Sequence, residues 1–304
     1  MPSLAVRAGV LLAAFTLFTP QLSTPQTFGG VGERAQGMAG AFVAVADDAS
    51  AVYWNPAGLG WPVGSVFDAQ FGIADETVFF AAALPALGLS FYRLPTVSAS
   101  ERRQNEGSGK VPIRSFSTGN VGVTINQTVV NGLVIGTTLR VVRGGFEHQP
   151  GRTTLDLDAG AMYSVQAFRV GLTARNLRQP RFDDDEFGPF SIDWQVRVGV
   201  ALVPRSLPAG VHGPFSLAFD VDLTRNAGLA RERRDASVGG EYWLVQGRIG
   251  VRTGLRWNTL EGQERGVSGG FTFQLPHSVF MDGHLTKVKD STETEWGLGA
   301  RVTF

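Results

Sequence analysis

Few residues in this sequence have the types and spacing that catalysis requires. Among the four histidines, only His284 has a carboxylate two residues away on the same face of a run, Asp282. A membrane hydrolase would also need a serine near the lipid side, and the lack of cysteine excludes a thiol nucleophile. We therefore predict no catalytic residues, no metal site and no cofactor, and we interpret His284 as a polar interior residue.

Charged side chains at alternating positions form a second set with possible chemistry. Opposite charges on neighbouring strands pair across an interior of low dielectric, where an unpaired charge is costly. Two interpretations stay open: the rows brace a barrel, which we favour, or they line a polar path for a small solute. The row residues are Asp156, Asp158, Arg169, Arg175, Glu241, Arg248, Arg252 and Arg256. The acidic run 182–187 offers oxygen ligands for calcium without a defined spacing, and we interpret it as a solvated loop.

These rows need strands to position them, and period-two alternation dominates the chain from residue 65 onward. In the last run Trp296, Leu298 and Val302 share one face while Gly297 and Arg301 share the other. Reading every run in this way predicts about fourteen strands of about ten residues each, the length of a tilted membrane-crossing strand. The runs lie near 65–73, 76–84, 86–94, 115–127, 132–143, 152–164, 168–176, 190–203, 214–224, 235–245, 247–257, 265–275, 277–287 and 294–304.

The connections between these runs are mostly short on one side and longer and polar on the other. That arrangement is typical of an outer-membrane barrel of a Gram-negative bacterium, with the short turns facing the periplasm. The alternative is a soluble β-sandwich, whose strands alternate in the same way. It would have to explain outward rows of Trp, Phe, Val and Leu on nearly every strand.

Composition agrees with an apolar, glycine-rich β protein. The chain has 39 glycines in 304 residues, and its 27 basic residues balance its 27 acidic ones. A net charge of zero argues against a nucleic-acid partner.

The N-terminus carries Arg7 followed by an apolar run over residues 8–18, too short to span a bilayer. We predict a signal peptide over about residues 1–26, which exports the chain. The segment that follows, 27–64, is rich in small residues and lacks strand alternation. We interpret this segment as a plug that precedes, in sequence, a barrel over residues 65–304. Within it Asp47 or Asp48 can cap a short helix near residues 49–53, which Asn55-Pro56 then ends.

The runs Ala35–Phe42, Ala46–Ser50 and Asn55–Leu59 resemble the N-terminal hatch of the FadL-like superfamily, which includes long-chain fatty-acid transporters and PorV-like secretion proteins. The resemblance implies an all-β fold: a fourteen-stranded antiparallel transmembrane barrel closed by an N-terminal hatch. It also implies that Phe304 is a signal for the barrel-assembly machinery. The chain is shorter than typical fatty-acid transporters of this group. The hatch residues implied are Gly37, Gly40, Asp47, Asp48, Asn55, Pro56 and Gly58.

Two functions follow as hypotheses. The first is passive uptake of small hydrophobic or amphipathic molecules through the outer membrane, gated by the hatch. The alternative is a PorV-like barrel that binds and anchors secreted proteins. The expected partners are outer-membrane lipids and either a small hydrophobic ligand or secreted proteins.

Overall fold

Fourteen antiparallel strands of the computed structural model close into a barrel in chain order. The structure describes residues 22–24, 30–60, 66–74, 77–98, 115–146, 151–184, 188–204, 213–227, 232–260, 264–289 and 294–304. Apart from residues 22–24, the predicted signal segment lies outside the described residues. The barrel strands are β1 Asp68–Ala74, β2 Thr77–Leu84, β3 Leu87–Ser98, β4 Ser115–Val130, β5 Leu133–Phe146, β6 Arg152–Val165, β7 Phe168–Arg175, β8 Gln195–Leu202, β9 Phe215–Asp222, β10 Asp235–Leu244, β11 Ile249–Asn258, β12 Arg265–Leu275, β13 Val279–Val288 and β14 Thr294–Thr303.

The last strand pairs with the first, so the sheet has no free edge. Gly299 lies opposite Gly72, and Thr303 lies opposite Asp68, in this closing ladder. The predicted all-β fold class with fourteen strands is confirmed. The strand bounds differ from the predicted ones by a few residues, most at the start of β8, which begins at Gln195 instead of 190.

Side chains on the two faces of the wall have the inverse of the distribution in a soluble protein. Leu255 and Leu298 on the outer face are 49% and 54% exposed, whereas Arg252 and Thr272 on the inner face are buried. An apolar exterior is stable only against lipid, because in water it would leave a large hydrophobic surface exposed. The soluble-sandwich alternative is therefore wrong.

The two ends of the barrel differ. The end that carries Phe304 has tight turns at 85–86, 131–132 and 166–167, and we call it the turn end. At the opposite, loop end, strands Arg181–Asp184 and Gly188–Ile192 form a hairpin that Leu22–Thr24 joins in parallel. Residues 182–184 of the run 182–187, predicted as a solvated loop, belong to this hairpin, and the Phe182 side chain is buried against Phe116. Residues 185–187 lie outside the described residues.

Residues 30–60, which we call the hatch, lie inside the barrel. They form helix α1 Glu33–Gly37, helix α2 Ala51–Trp54 and a 3-10 turn at Pro56–Gly60. Phe42 and Trp54 of the hatch are fully buried and pack in one cluster with Phe79 and Tyr92 of the wall. The hatch therefore supplies the core of the molecule. Among the described residues, no helix is long and apolar enough to cross a membrane.

Candidate functional site

The hatch contacts the wall mainly at glycines, and this interface is the candidate functional site. A Cβ built at Gly171 would lie 2.5 Å from the carbonyl oxygen of Val43, and one built at Gly254 would lie 2.5 Å from that of Met38. Only glycine permits such an approach of wall to hatch backbone. Gly72 and Gly299 approach the Glu33 side chain of the hatch in the same way. We call the wall glycines that lie this close to the hatch the glycine seat: Gly72, Gly136, Gly160, Gly171, Gly199, Gly239, Gly254, Gly270 and Gly299.

The glycine seat forms a band around the lumen because its members face each other across neighbouring strands. Gly72 pairs with Gly299, Gly136 with Gly160, Gly171 with Gly199, and Gly239 with Gly254. Part of the high glycine content of the chain thus has a structural cause. At these wall positions the absence of a side chain lets the hatch pack directly against the backbone of the strands.

Three of the implied hatch glycines lie at close approaches within or beneath the hatch. Gly37 ends α1, and a Cβ there would lie 3.1 Å from the Cα of Gly270 in the wall. Gly40 has φ of +79°, a left-handed conformation that favours glycine, and it lies against Trp54. A Cβ at Gly58 would lie 3.0 Å from the carbonyl carbon of Ala46.

Asn55 joins two parts of the hatch to the wall. Its side-chain nitrogen donates to the carbonyl oxygens of Val43 at 2.9 Å and Ala161 of β6 at 3.2 Å. Its side-chain oxygen accepts the N–H of Ala57 at 3.1 Å. Pro56 follows against the wall, where a Cβ at Gly136 would lie 2.5 Å from its carbonyl oxygen.

Asp47 and Asp48 converge on Arg34, a residue that the sequence analysis did not select. Arg34 donates to Asp47 at 2.6 Å and to Asp48 at 3.1 Å, and its other nitrogens hold Glu241 of β10 at 2.8 Å. Asp48 also accepts the Ser50 N–H at 2.9 Å, just before α2 begins. Burial opposes ionisation of Asp48, but Arg34, Arg301 and the Ser50 hydroxyl together outweigh it and hold the pKa of Asp48 below its usual range.

Glu241 extends this network across the wall. It accepts from Arg252 of β11 at 2.6 Å, and Arg252 in turn donates to Asp282 of β13 at 3.3 Å. One chain of charges therefore runs from the hatch to three wall strands. His284 is buried in the lumen two residues beyond Asp282, as its register predicts.

Asp220 of β9 makes the most direct wall-to-hatch contact. One of its carboxylate oxygens accepts the backbone N–H groups of both Phe42 and Val43 at 2.8 Å. On the neighbouring strand Arg197 donates to the carbonyl oxygen of Gly40 at 3.2 Å and to Asp222 at 2.6 Å. Asp220 and Arg197 alternate with outward apolar residues in their runs, which is the signal that could have selected them.

A second buried network lies in the wall between the hatch and the loop end. Arg140 of β5 donates to Asp156, to Asp158 at 2.9 Å and to the Tyr92 hydroxyl at 2.9 Å. Arg175 lies 3.7 Å from Asp158, and its guanidinium stacks 3.7 Å from the Tyr53 ring centroid of the hatch. Asp156, Asp158 and Arg175, which the sequence analysis selected, therefore lie in one network. The sequence analysis did not select Arg140, which connects them.

The remaining row residues lie apart from this network. Arg169 pairs at 3.2 Å with Asp47 of the hatch, not with Asp156 or Asp158. Arg256 is half-buried opposite Ser237. The inward placement predicted for Arg248 is wrong: β11 begins at Ile249, so Arg248 lies in the preceding turn and its side chain is exposed.

The space between hatch and wall beside Asp47 and Asp48 at the turn end is small. A cavity of about 20 Å³ lies there between Asp47, Asp48 and Asp68, which is room for about one water molecule. Within the described part of the chain, no three His, Asp or Glu side chains are grouped to hold a metal ion.

The fold and this site define a class of protein: a fourteen-stranded barrel of the outer-membrane type whose lumen is closed by its own N-terminal segment. Comparison with solved structures agrees. The toluene transporter TbuX of Ralstonia pickettii superposes with a TM-score of 0.65 at 12% identity, over 92% of this chain and 100% of that one. The CymD monoaromatic hydrocarbon channel superposes with a TM-score of 0.64 at 13% identity, over 90% and 98%. The toluene transporter TodX of Pseudomonas putida gives 0.56 at 9% identity, over 93% and 98%.

These similarities confirm the predicted resemblance to FadL-like barrels at the level of the fold. A family described as "F plasmid transfer operon, TraF, protein" matches residues 146–222, about a quarter of the chain. No curated protein matches the sequence.

Proposed function

We propose that the chain is an outer-membrane channel for passive uptake of small hydrophobic molecules, and that the hatch is its gate. The observation that carries the proposal is how the hatch is held. It rests on the glycine seat by close packing, and it is joined to the wall by side-chain hydrogen bonds and ion pairs, among them those of Arg34, Asn55 and Asp220, and not by strand pairing. A segment fastened in this way can leave its seat without unfolding the wall, whose strands pair only with one another.

The chemistry of the lumen favours a neutral, apolar solute. Arg140, Arg197 and Arg252 are each paired with wall carboxylates, so the buried charges are compensated before any solute enters. Aromatic rings offer the apolar contacts: Tyr53 and Tyr92 pack edge to face at 5.3 Å between hatch and wall. The similar barrels named for toluene and monoaromatic hydrocarbons support this solute class.

Uptake of a hydrophobic dye into cells tests the proposal, because lipopolysaccharide excludes such dyes from an intact outer membrane. N-phenylnaphthylamine is the hydrophobic probe, and hydrolysis of nitrocefin by a periplasmic β-lactamase reports a polar, anionic solute. Cells that carry the assembled chain should take up the dye faster than cells without it, with little change in nitrocefin hydrolysis. Equal dye uptake with and without the assembled barrel would refute the channel function and favour the secretion-anchor alternative.

A variant of the glycine seat tests the gate separately. Gly171→Val would place a side chain against the hatch backbone, so entry of both probes should rise. Gly119→Val is the matched control, because the nearest atom to a Cβ there lies 3.9 Å away. If both variants behave like the parent chain, the hatch is not the barrier.

A further inference from the structure

We propose that Glu33 is a proton-controlled latch: the hatch stays seated while the Glu33 carboxyl group is neutral and is released when that group ionises. The inference rests on the proposed gating function and adds its regulation. Glu33 opens α1, and its side chain is buried inside the barrel.

The Glu33 carboxyl group lies directly on the seam where the barrel closes. A Cβ at Gly72 of β1 would lie 2.8 Å from its carboxyl carbon, and one at Gly299 of β14 would lie 2.5 Å from one of its oxygens. Since Gly72 and Gly299 oppose each other in the closing ladder, the carboxyl group occupies the space that two side chains would otherwise fill. This contact suits an uncharged group, because a carboxylate there would be cut off from water.

The charged groups around Glu33 do not supply a dedicated cation. Asp282 of β13, Arg252 of β11 and Asp48 of the hatch act on its carboxyl group. Farther along the inner face are His284 of β13, Arg301 of β14 and Asp68 of β1. Arg252 already holds Glu241 and Asp282, and Arg301 stacks 4.5 Å from the ring of Phe280. The lumen-facing residues of β12 next to α1, Gly270 and Thr272, do not titrate. Among the described residues, Glu33 has no ion-pair partner within 4.0 Å.

The direction of the pH dependence follows from burial. Burial is the main cause that raises the pKa of Glu33 from its usual 4.5 to about 8. The negative charges of Asp282 and Asp48 raise it further, whereas the Glu33 backbone N–H and Arg252 lower it. A released, hydrated Glu33 returns to its ordinary pKa, so the seated state binds a proton that the released state loses. The seated state is therefore fully favoured below about pH 4.5 and loses stability as the pH rises to about 8, by roughly tenfold in population per pH unit at most.

Thiol labelling of the hatch tests the latch without relying on transport. The chain contains no cysteine, so Val45→Cys introduces one reporter at a buried hatch position, and Arg248→Cys in an exposed turn corrects for the intrinsic pH dependence of thiol reactivity. Both are reconstituted in phosphatidylcholine vesicles and labelled with a maleimide from pH 5 to 8.5. The corrected rate at Val45→Cys should rise at least about tenfold over this range, following the proton linkage.

Substitutions at and near Glu33 test whether its carboxyl group causes the pH dependence of labelling. Glu33→Gln keeps the shape of the group and should hold labelling at its low-pH level throughout, whereas His284→Gln should leave the pH profile unchanged. Gly72→Ala, whose methyl group would displace the carboxyl group, should give high labelling at every pH. A steep profile that persists in Glu33→Gln, or a flat profile in the parent chain, would overturn the proposal.

The outcomes also separate the latch from the channel. Labelling that rises with pH in a chain that takes up no N-phenylnaphthylamine would leave the latch intact and refute the channel function. Dye uptake accompanied by pH-independent labelling would leave the channel intact and refute the latch.

Discussion

Removing the carboxylate of Asp220 should release the hatch. In the seated state this group accepts two backbone N–H groups, from Phe42 and Val43, both at 2.8 Å, and its side chain is fully buried. Asp220→Ala leaves both donors without a partner. Each buried unpaired donor costs about 1–3 kcal/mol, so the seated state should lose about 2–6 kcal/mol relative to the released state, where water satisfies both groups.

That loss corresponds to roughly a 30-fold to 20,000-fold rise in the released population. A water molecule entering the vacated space would reduce the effect toward the lower figure. Asp220→Asn keeps an acceptor oxygen but loses the charge that strengthens both bonds, so its effect should be smaller and in the same direction.

Maleimide labelling of Val45→Cys at fixed pH measures the released population directly. The matched control is Asp222→Asn on the same face of β9, because Asp222 accepts from the wall groups Arg197 at 2.6 Å and the Asp235 N–H at 3.0 Å. Heat-modifiable migration on gels verifies that each barrel is assembled. Labelling of Asp220→Ala no faster than that of Asp222→Asn would refute the assignment of Asp220 as the fastening point.

Two further substitutions test the wall. Leu255→Arg places a charge on the lipid face and should cost roughly 2–4 kcal/mol if it lies near mid-depth, whereas Leu255→Ala should cost less, as measured by urea unfolding in vesicles. Arg140→Met leaves buried Asp156 without its cation and Asp158 with Arg175 alone at 3.7 Å, and it should cost about 3–5 kcal/mol. Arg225→Met breaks an exposed pair with Glu232 at 3.4 Å and should change stability by less than about 1 kcal/mol. Equal losses in the two arginine variants would contradict the account of the buried network.

The strands could be predicted from the sequence because each one separates lipid from a polar interior. Its side chains therefore alternate between apolar and polar along the chain. Every predicted run corresponds to a barrel strand, and the short helix that Asn55 follows was also visible. β4 runs to Val130, past its predicted end near 127, with an irregularity in its pairing between Thr128 and Val130.

Contacts between hatch and wall could not be predicted, because they join residues distant in sequence. Asp220 contacts residues 177 and 178 positions away, and nothing near Phe42 indicates this partner. Arg169 was expected beside the carboxylates of β6, yet it pairs with Asp47 because the hatch occupies the lumen in front of it. The glycine excess was visible as composition, whereas its arrangement as a seat depends on strand register.

A disulfide between hatch and wall tests the central claim most directly, namely that the hatch must move for solute to pass. A Cβ at Gly37 would lie 3.4 Å from that of Arg252, close to the separation of about 3.5–4.5 Å in disulfides. With no native cysteine in the chain, Gly37→Cys with Arg252→Cys forms one pair only. The account predicts that cells carrying the oxidised pair take up N-phenylnaphthylamine no faster than cells without the barrel, and that a reductant restores uptake, while neither single variant responds to it. Equal uptake by the oxidised and reduced pair, with the disulfide verified by peptide mass, would contradict the account.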